Sequence, residues 1–117
     1  MSADQFKPKV YIREGCPYSF KFWLFIVEAG IAKDFEPIVC RPEDPQFDAI
    51  KSRLSTGLGR PATFPTVEIG PGRFKADSDQ LIAYFAERYG VDAASLPALA
   101  FYRGTILPQL EELHRHG

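Results

Sequence analysis

Arg13-Glu14-Gly15-Cys16-Pro17-Tyr18-Ser19 follows a short apolar run at residues 9–12 and opens a long apolar-rich stretch that ends at Gly30. The run reads as a strand, and residues 18–29 read as a helix with Gly30 as its C-terminal cap. The motif is therefore a strand-to-helix turn that puts Cys16 at the helix start. A cysteine there faces unpaired backbone N–H groups and the positive end of the helix dipole. Both favour the thiolate, which is the reacting form of the side chain. Arg13, three residues earlier, adds a fixed positive charge. Pro17 is the first helical residue, where its missing N–H costs nothing. Cys16 is thus the candidate nucleophile, and Arg13, Pro17, Tyr18 and Ser19 are its candidate supporters. The Tyr18 hydroxyl either reaches a group bound at the sulfur or leaves the ring to pack. Ser19 either hydrogen-bonds the thiolate or caps the first turn. Serine at position 19 leaves no partner for a local C-x-x-C disulfide, so an adduct on Cys16 needs a thiol from outside.

The helix after the motif is apolar on nearly all sides. Phe20, Trp23, Leu24 and Val27 form one stripe, and Phe22, Phe25, Ile26 and Ala29 another. Such a helix is buried on more than one face. One stripe can pack on a sheet, and the other needs a further partner.

Further along, residues 35–40 read as a second strand. Asp44 and Pro45 read as a cap and first-turn proline for a helix carrying Phe47, Ile50 and Leu54, which Gly57 stops. Residues 66–69 and 73–76 read as a hairpin about Gly70-Pro71-Gly72. Asp77 and Ser78 read as the cap of a helix over residues 79–89, ended by Gly90. The order is β-α-β-α-β-β-α, with the first two strands parallel because a helix joins them. In the tail, Leu99, Tyr102, Ile106, Leu110 and Leu113 recur at spacings of three and four. They predict an amphipathic helix, kinked or broken near Gly104 and Pro108, that covers the unpartnered helix face.

Bulk properties bound the function. A chain of 117 residues fits one domain with a real core. Fourteen basic and fifteen acidic residues give a net charge of −1. There is no basic excess for nucleic acid or an anionic membrane, and no run long enough to span a bilayer. Residues 1–6 lack the pattern of a secretory signal. Two cysteines are too few for a disulfide framework, which makes a reducing cytoplasm the expected setting. Cys40 reads as a buried strand-end cysteine; parallel first and second strands would put it on the same sheet edge as Cys16, and a Cys16–Cys40 pairing is the alternative. His114 and His116 lack the further ligands a metal needs.

Cys16-Pro17-Tyr18-Ser19, Thr63-Phe64-Pro65 and Asp77-Ser78-Asp79, taken with the order of elements, resemble the thioredoxin-like fold. More narrowly, they resemble glutaredoxins and the N-terminal domain of glutathione S-transferases, over roughly residues 8–90. The resemblance implies an α/β domain at residues 1–90, with a four-stranded mixed sheet. Residues 91–117 would be a C-terminal helical extension. It implies a cis peptide before Pro65, and a Phe64 backbone that holds the cysteinyl part of glutathione. Ser78 would offer helix N–H groups to the γ-glutamyl carboxylate, and Asp77 or Asp79 would take its ammonium group. Arg60, Arg53 and Lys51 fall near the expected glycine end of glutathione, with Arg60 a weak candidate. Ser19 departs from the dithiol glutaredoxins. Residues 91–117 offer only the first helix of the transferases' second domain, which bears on conjugation more than on glutathione binding.

The expected function is glutathione-dependent thiol chemistry at Cys16. A monothiol oxidoreductase or transferase would act on a glutathionylated protein or a small electrophile, as monomer or homodimer. The alternatives are a glutathione-binding or partner-binding module without turnover, and a reduced transferase for hydrophobic electrophiles.

Overall fold

The computed structural model describes residues 6–116, with only the backbone of His116. Of the six residues read above for a signal, the first five lie outside that range. The elements are β1 (Lys9–Arg13), α1 (Pro17–Glu28), β2 (Glu36–Cys40), α2 (Phe47–Leu58), β3 (Thr66–Gly70), β4 (Arg73–Ala76) and α3 (Ser78–Tyr89). The tail holds α4 (Pro97–Phe101), a π turn (Tyr102–Ile106) and α5 (Leu107–His116). The sheet order is β2-β1-β3-β4. β1 runs parallel to β2 and antiparallel to β3, and β4 runs antiparallel to β3.

The strand pleat sends successive side chains to opposite faces, and this divides the core in two. Val10 and Val67 face α1 and α3, among Phe22, Phe25, Ile26, Leu81, Ile82 and Phe85. Tyr11 faces the other way with Cys40, Leu54 and Ala62, beneath α2. This is the mixed α/β architecture expected of a thioredoxin-like domain.

Two boundaries differ from the sequence reading. Gly57 does not stop α2; the helix runs on to Leu58, and Gly59 caps it in the left-handed conformation. Gly57 marks a close approach instead, since a Cβ there would stand 2.2 Å from the Phe74 ring of β4. Nor does Asp44 cap α2. Its carboxylate accepts the Gln46 N–H (2.8 Å) within the preceding turn.

One stripe of α1 is buried at Phe22, Phe25 and Ile26 and partly buried at Ala29. The tail covers the other only in part. Phe20 and Val27 remain 50% and 52% exposed. The tail buries Leu99, Tyr102 and Leu107, and Leu99 joins the core cluster of α1 and α3 residues. Glu28 on α1 accepts the N–H groups of Ala98 (2.7 Å) and Leu99 (2.8 Å). It thereby caps α4, whose own N-cap residue is Leu96 and makes no side-chain bond. The wide turn at residues 102–106 has a local cause. Pro108 has no N–H for the Gly104 carbonyl, and its ring crowds that carbonyl, so the helix takes a π register there.

Candidate active site at the N-terminus of α1

Antiparallel pairing gathers the site at one end of the sheet. Thr66 pairs with Tyr11 and with Ala76. The start of β3, the end of β4 and the end of β1 therefore meet, and Pro65, Asp77 and Cys16 follow from them. A turn closed by the Cys16 N–H on the Arg13 carbonyl (3.1 Å) links β1 to α1, with Gly15 at φ 80°.

Cys16 is the N-cap of α1 and is partly exposed. Its Sγ accepts the Ser19 N–H at 3.4 Å and lies 3.7 Å from the Phe64 carbonyl oxygen, to which the thiol form donates. The Phe64–Pro65 peptide is cis. Around it, the Phe64 ring stacks on Phe47 and the Thr66 hydroxyl donates to the Thr63 carbonyl (2.6 Å). The Ser19 hydroxyl bonds neither the sulfur nor its own helix turn. It accepts the Arg13 N–H at 3.0 Å and is buried, so it ties β1 to α1.

Arg13 is exposed beside Cys16, and its guanidinium makes no ion pair among the described residues. The Tyr18 hydroxyl makes its hydrogen bond to the tail and not to the thiol, donating to Glu111 of α5 at 2.6 Å. That bond is the main reason its ionisation is pushed above the ordinary phenol range, followed by burial and the charges of Glu111 and Cys16.

Asp77 occupies the N-cap position of α3 but makes no side-chain cap bond. Its carboxylate meets Arg60 at 3.3 Å, an exposed pair of small energetic weight. Its backbone sits at φ 74°, a conformation costing on the order of 1–3 kcal/mol in a residue with a side chain. Ser78 is buried at the first helical position. Asp79 is committed elsewhere. Lys21 donates to it at 2.9 Å and Arg103 at 2.6 Å, and these bonds hold its carboxyl below the usual range against a smaller opposing effect of burial. Lys21 is itself buried, with its side chain 6% exposed.

Cys40 is buried and free, its thiol donating to the Ile38 carbonyl at 3.7 Å. Burial, with a smaller effect of Asp44, pushes its ionisation up. His114 is exposed, and the His116 side chain lies outside the described residues. Among the described residues no His, Cys, Asp or Glu group is placed to hold a metal ion, and no helix is long and apolar enough to cross a membrane.

The sequence reading missed the tail's part in the site. The Tyr102 hydroxyl donates to the Pro17 carbonyl at 2.7 Å, one residue from Cys16, and its ring stands edge-on to Phe20 at 5.0 Å. With Tyr18–Glu111 and Arg103–Asp79, this fastens residues 102–111 to the start of α1 and the start of α3. The tail periodicity marks Tyr102 as apolar, but no sequence signal points to a contact 85 residues away. Beside Cys16 lies a groove of about 520 Å³ with Ile12, Phe20, Trp23, Val39 and Leu110 in its lining.

The family model described as the glutathione S-transferase N-terminal domain matches residues 10–95. Among solved structures, the glutathione transferase Omega 2C of Trametes versicolor aligns with a TM-score of 0.51 at 14% identity. That alignment covers 89% of this chain and 44% of the other, so this chain spans less than half of the transferase. No curated protein sequence matches the chain. By its match over residues 10–95, the chain belongs to the glutathione S-transferase N-terminal domain family, and its architecture is a thioredoxin-like fold.

Proposed function

We propose that the chain carries out glutathione-dependent thiol exchange at Cys16, in a reducing, cytoplasmic setting. The observation that carries this reading is the placement of one partly exposed sulfur at the N-terminus of α1. It accepts the Ser19 N–H and faces the Phe64 carbonyl of the cis peptide. The Cys16 thiolate attacks the glutathionyl sulfur of a mixed disulfide, forming the Cys16–glutathione disulfide and releasing the other thiolate. A second glutathione thiolate then attacks that sulfur, which regenerates Cys16 and leaves as glutathione disulfide. Electrons balance across the two exchanges, and no second protein thiol is used.

In this reading the Phe64 backbone beside Pro65 holds the cysteinyl part of glutathione. The N–H groups about Ser78 take the γ-glutamyl carboxylate. Asp77 takes the ammonium group, because Asp79 is occupied by Lys21 and Arg103. Arg13 places a positive charge beside the sulfur, and Pro17 sets the first turn behind it. Residues 1–90 form the catalytic unit, and residues 91–117 are an extension that braces it.

The test is intact-mass analysis after exposure to glutathione disulfide, with the adduct mapped and then challenged with reduced glutathione. One adduct on Cys16, removed by the thiol, is the expected result. Cys16→Ser should abolish turnover, and Ser19→Ala should retain it. No adduct, or labelling only at Cys40, rejects the reading.

A second reading, a partner-binding module without turnover, is favoured by the apolar side chains of Phe20, Val27 and Phe101 left exposed on α1 and α4. Light scattering across a concentration series tests it. A module that pairs with itself shows a mass that rises with concentration, and a constant monomer mass counts against self-association.

A further inference from the structure

At the end of the sheet opposite Cys16 lies a second groove, of about 830 Å³. It is bounded by the residues before β1, the β3–β4 turn, the turn before β2 and the end of α3. Its size falls within the range of small-molecule sites. Lys7, Lys33, Arg73 and Arg88 stand around it, and Asp34 is the only acid in its lining among the described residues. Asp34 is already bonded by the Tyr89 hydroxyl at 3.0 Å.

None of the four cations makes an ion pair among the described residues, because the ion pairs there engage other cations: Lys21, Arg41, Arg60, Arg103 and Arg115. The chain carries more acids than bases. Even so, it leaves four positive charges around one groove, where their mutual repulsion costs stability unless an anion offsets it.

One of the cations is braced by a ring, and a second has room beside the turn. A Cβ on Gly70 would stand 3.1 Å from the Arg73 Nε, so the absence of a side chain there lets the guanidinium lie against the turn. The Arg88 guanidinium lies over the Tyr84 ring, 5.3 Å from its centroid, with Lys75 at the same distance. An ordered guanidinium presents paired donors that match phosphate oxygens. Tyr89, exposed at the groove wall, offers a ring face.

We propose that this groove binds a small polyanion carrying a planar ring, of the chemical class of nucleoside di- and triphosphates, independently of the chemistry at Cys16. The phosphates lie among Lys7, Lys33, Arg73 and Arg88, and the ring lies against Tyr89.

The test is isothermal titration of the intact protein with ADP at low salt. Adenosine, inorganic triphosphate and an acidic peptide serve as comparison titrants. ADP should bind, adenosine should not, and added salt should weaken binding as it screens the charges. Arg73→Gln with Arg88→Gln should weaken ADP about tenfold or more, the loss expected when charge-assisted hydrogen bonds are removed. Glutathione adduct formation at Cys16 should be unchanged in that variant. Lys7→Gln with Lys33→Gln provides a second variant should the first fail to fold. No ADP binding at millimolar concentration, or equal binding by a folded variant, overturns the proposal. Inorganic triphosphate binding as tightly as ADP removes the ring from it, and tighter binding of the acidic peptide overturns the ligand class.

Discussion

Replacing Tyr102 by phenylalanine removes one oxygen and keeps the ring edge-on to Phe20 at 5.0 Å. The lost interaction is the 2.7 Å bond to the Pro17 carbonyl, which joins the π turn of the tail to the residue after Cys16. Burial is the first cause that pushes the Tyr102 ionisation up, followed by the charges of Cys16 and Glu111. The hydroxyl therefore stays protonated and donating through the neutral range. A neutral buried bond of this kind contributes about 1 kcal/mol. In a chain of this size that lowers the thermal midpoint by about 4 °C. If the bond also fixes the Cys16–Pro17 turn, the same energy appears as about a fivefold slower reaction of Cys16 with glutathione disulfide. The assay is a rate measurement by quenched mass spectrometry at a temperature where both proteins are folded, with circular dichroism as the control. A lowered midpoint with an unchanged Cys16 rate refutes the coupling. Tyr102 would then fasten the tail and nothing more.

Other outcomes follow from the same geometry. Alkylation of the native protein should modify Cys16 and spare Cys40, whose burial disfavours its thiolate; equal labelling of both would contradict that burial. Asp79→Asn should cost about 1 kcal/mol or less, because the buried Lys21 ammonium keeps an acceptor oxygen but loses the opposing charge of an exposed carboxylate. Since the Asp79 carboxyl is held low by Lys21 and Arg103, its contribution is present above the ordinary carboxylate range and lost as pH falls through the lowered value. The contribution is modest, as the Asp79 side chain is 69% exposed. Urea midpoints across an acid pH series check this, and a wild-type–variant difference that does not shrink toward low pH would contradict it. Gly57→Ala, normally stabilising inside a helix, should instead destabilise by about 1–3 kcal/mol, because the methyl meets the Phe74 ring. A raised urea midpoint in that variant would show that the ring yields freely.

Local chemistry carried much of the fold into the sequence. The strand, turn and helix about Cys16 follow from an apolar run, a glycine that accepts φ 80° and a proline at the helix start. The hairpin at Gly70–Gly72 was equally legible, since turn residues act over three or four positions, and the helix after Asp77 begins where it was read although Asp77 makes no side-chain cap bond. What failed was local as well. Gly57 looked like a helix stop, but a glycine needed for close packing reads the same as one needed for a turn until the facing Phe74 is known.

The site divides along the same line. The sequence by itself determined that one thiol stands at a helix N-terminus without a C-x-x-C partner, and that an X-Pro peptide and an Asp-Ser turn lie at the matching distance along the chain. These are properties of spacing, and spacing is written in order. Tertiary structure alone decided where the remaining polar groups spend their bonds. Ser19 ties β1 to α1, Tyr18 reaches Glu111, Asp79 serves Lys21 and Arg103, and Tyr102 reaches Pro17. Each of these choices depends on which of several donors or acceptors arrives within about 3 Å once the elements are packed. Partners up to 93 residues apart leave no periodic trace in the chain.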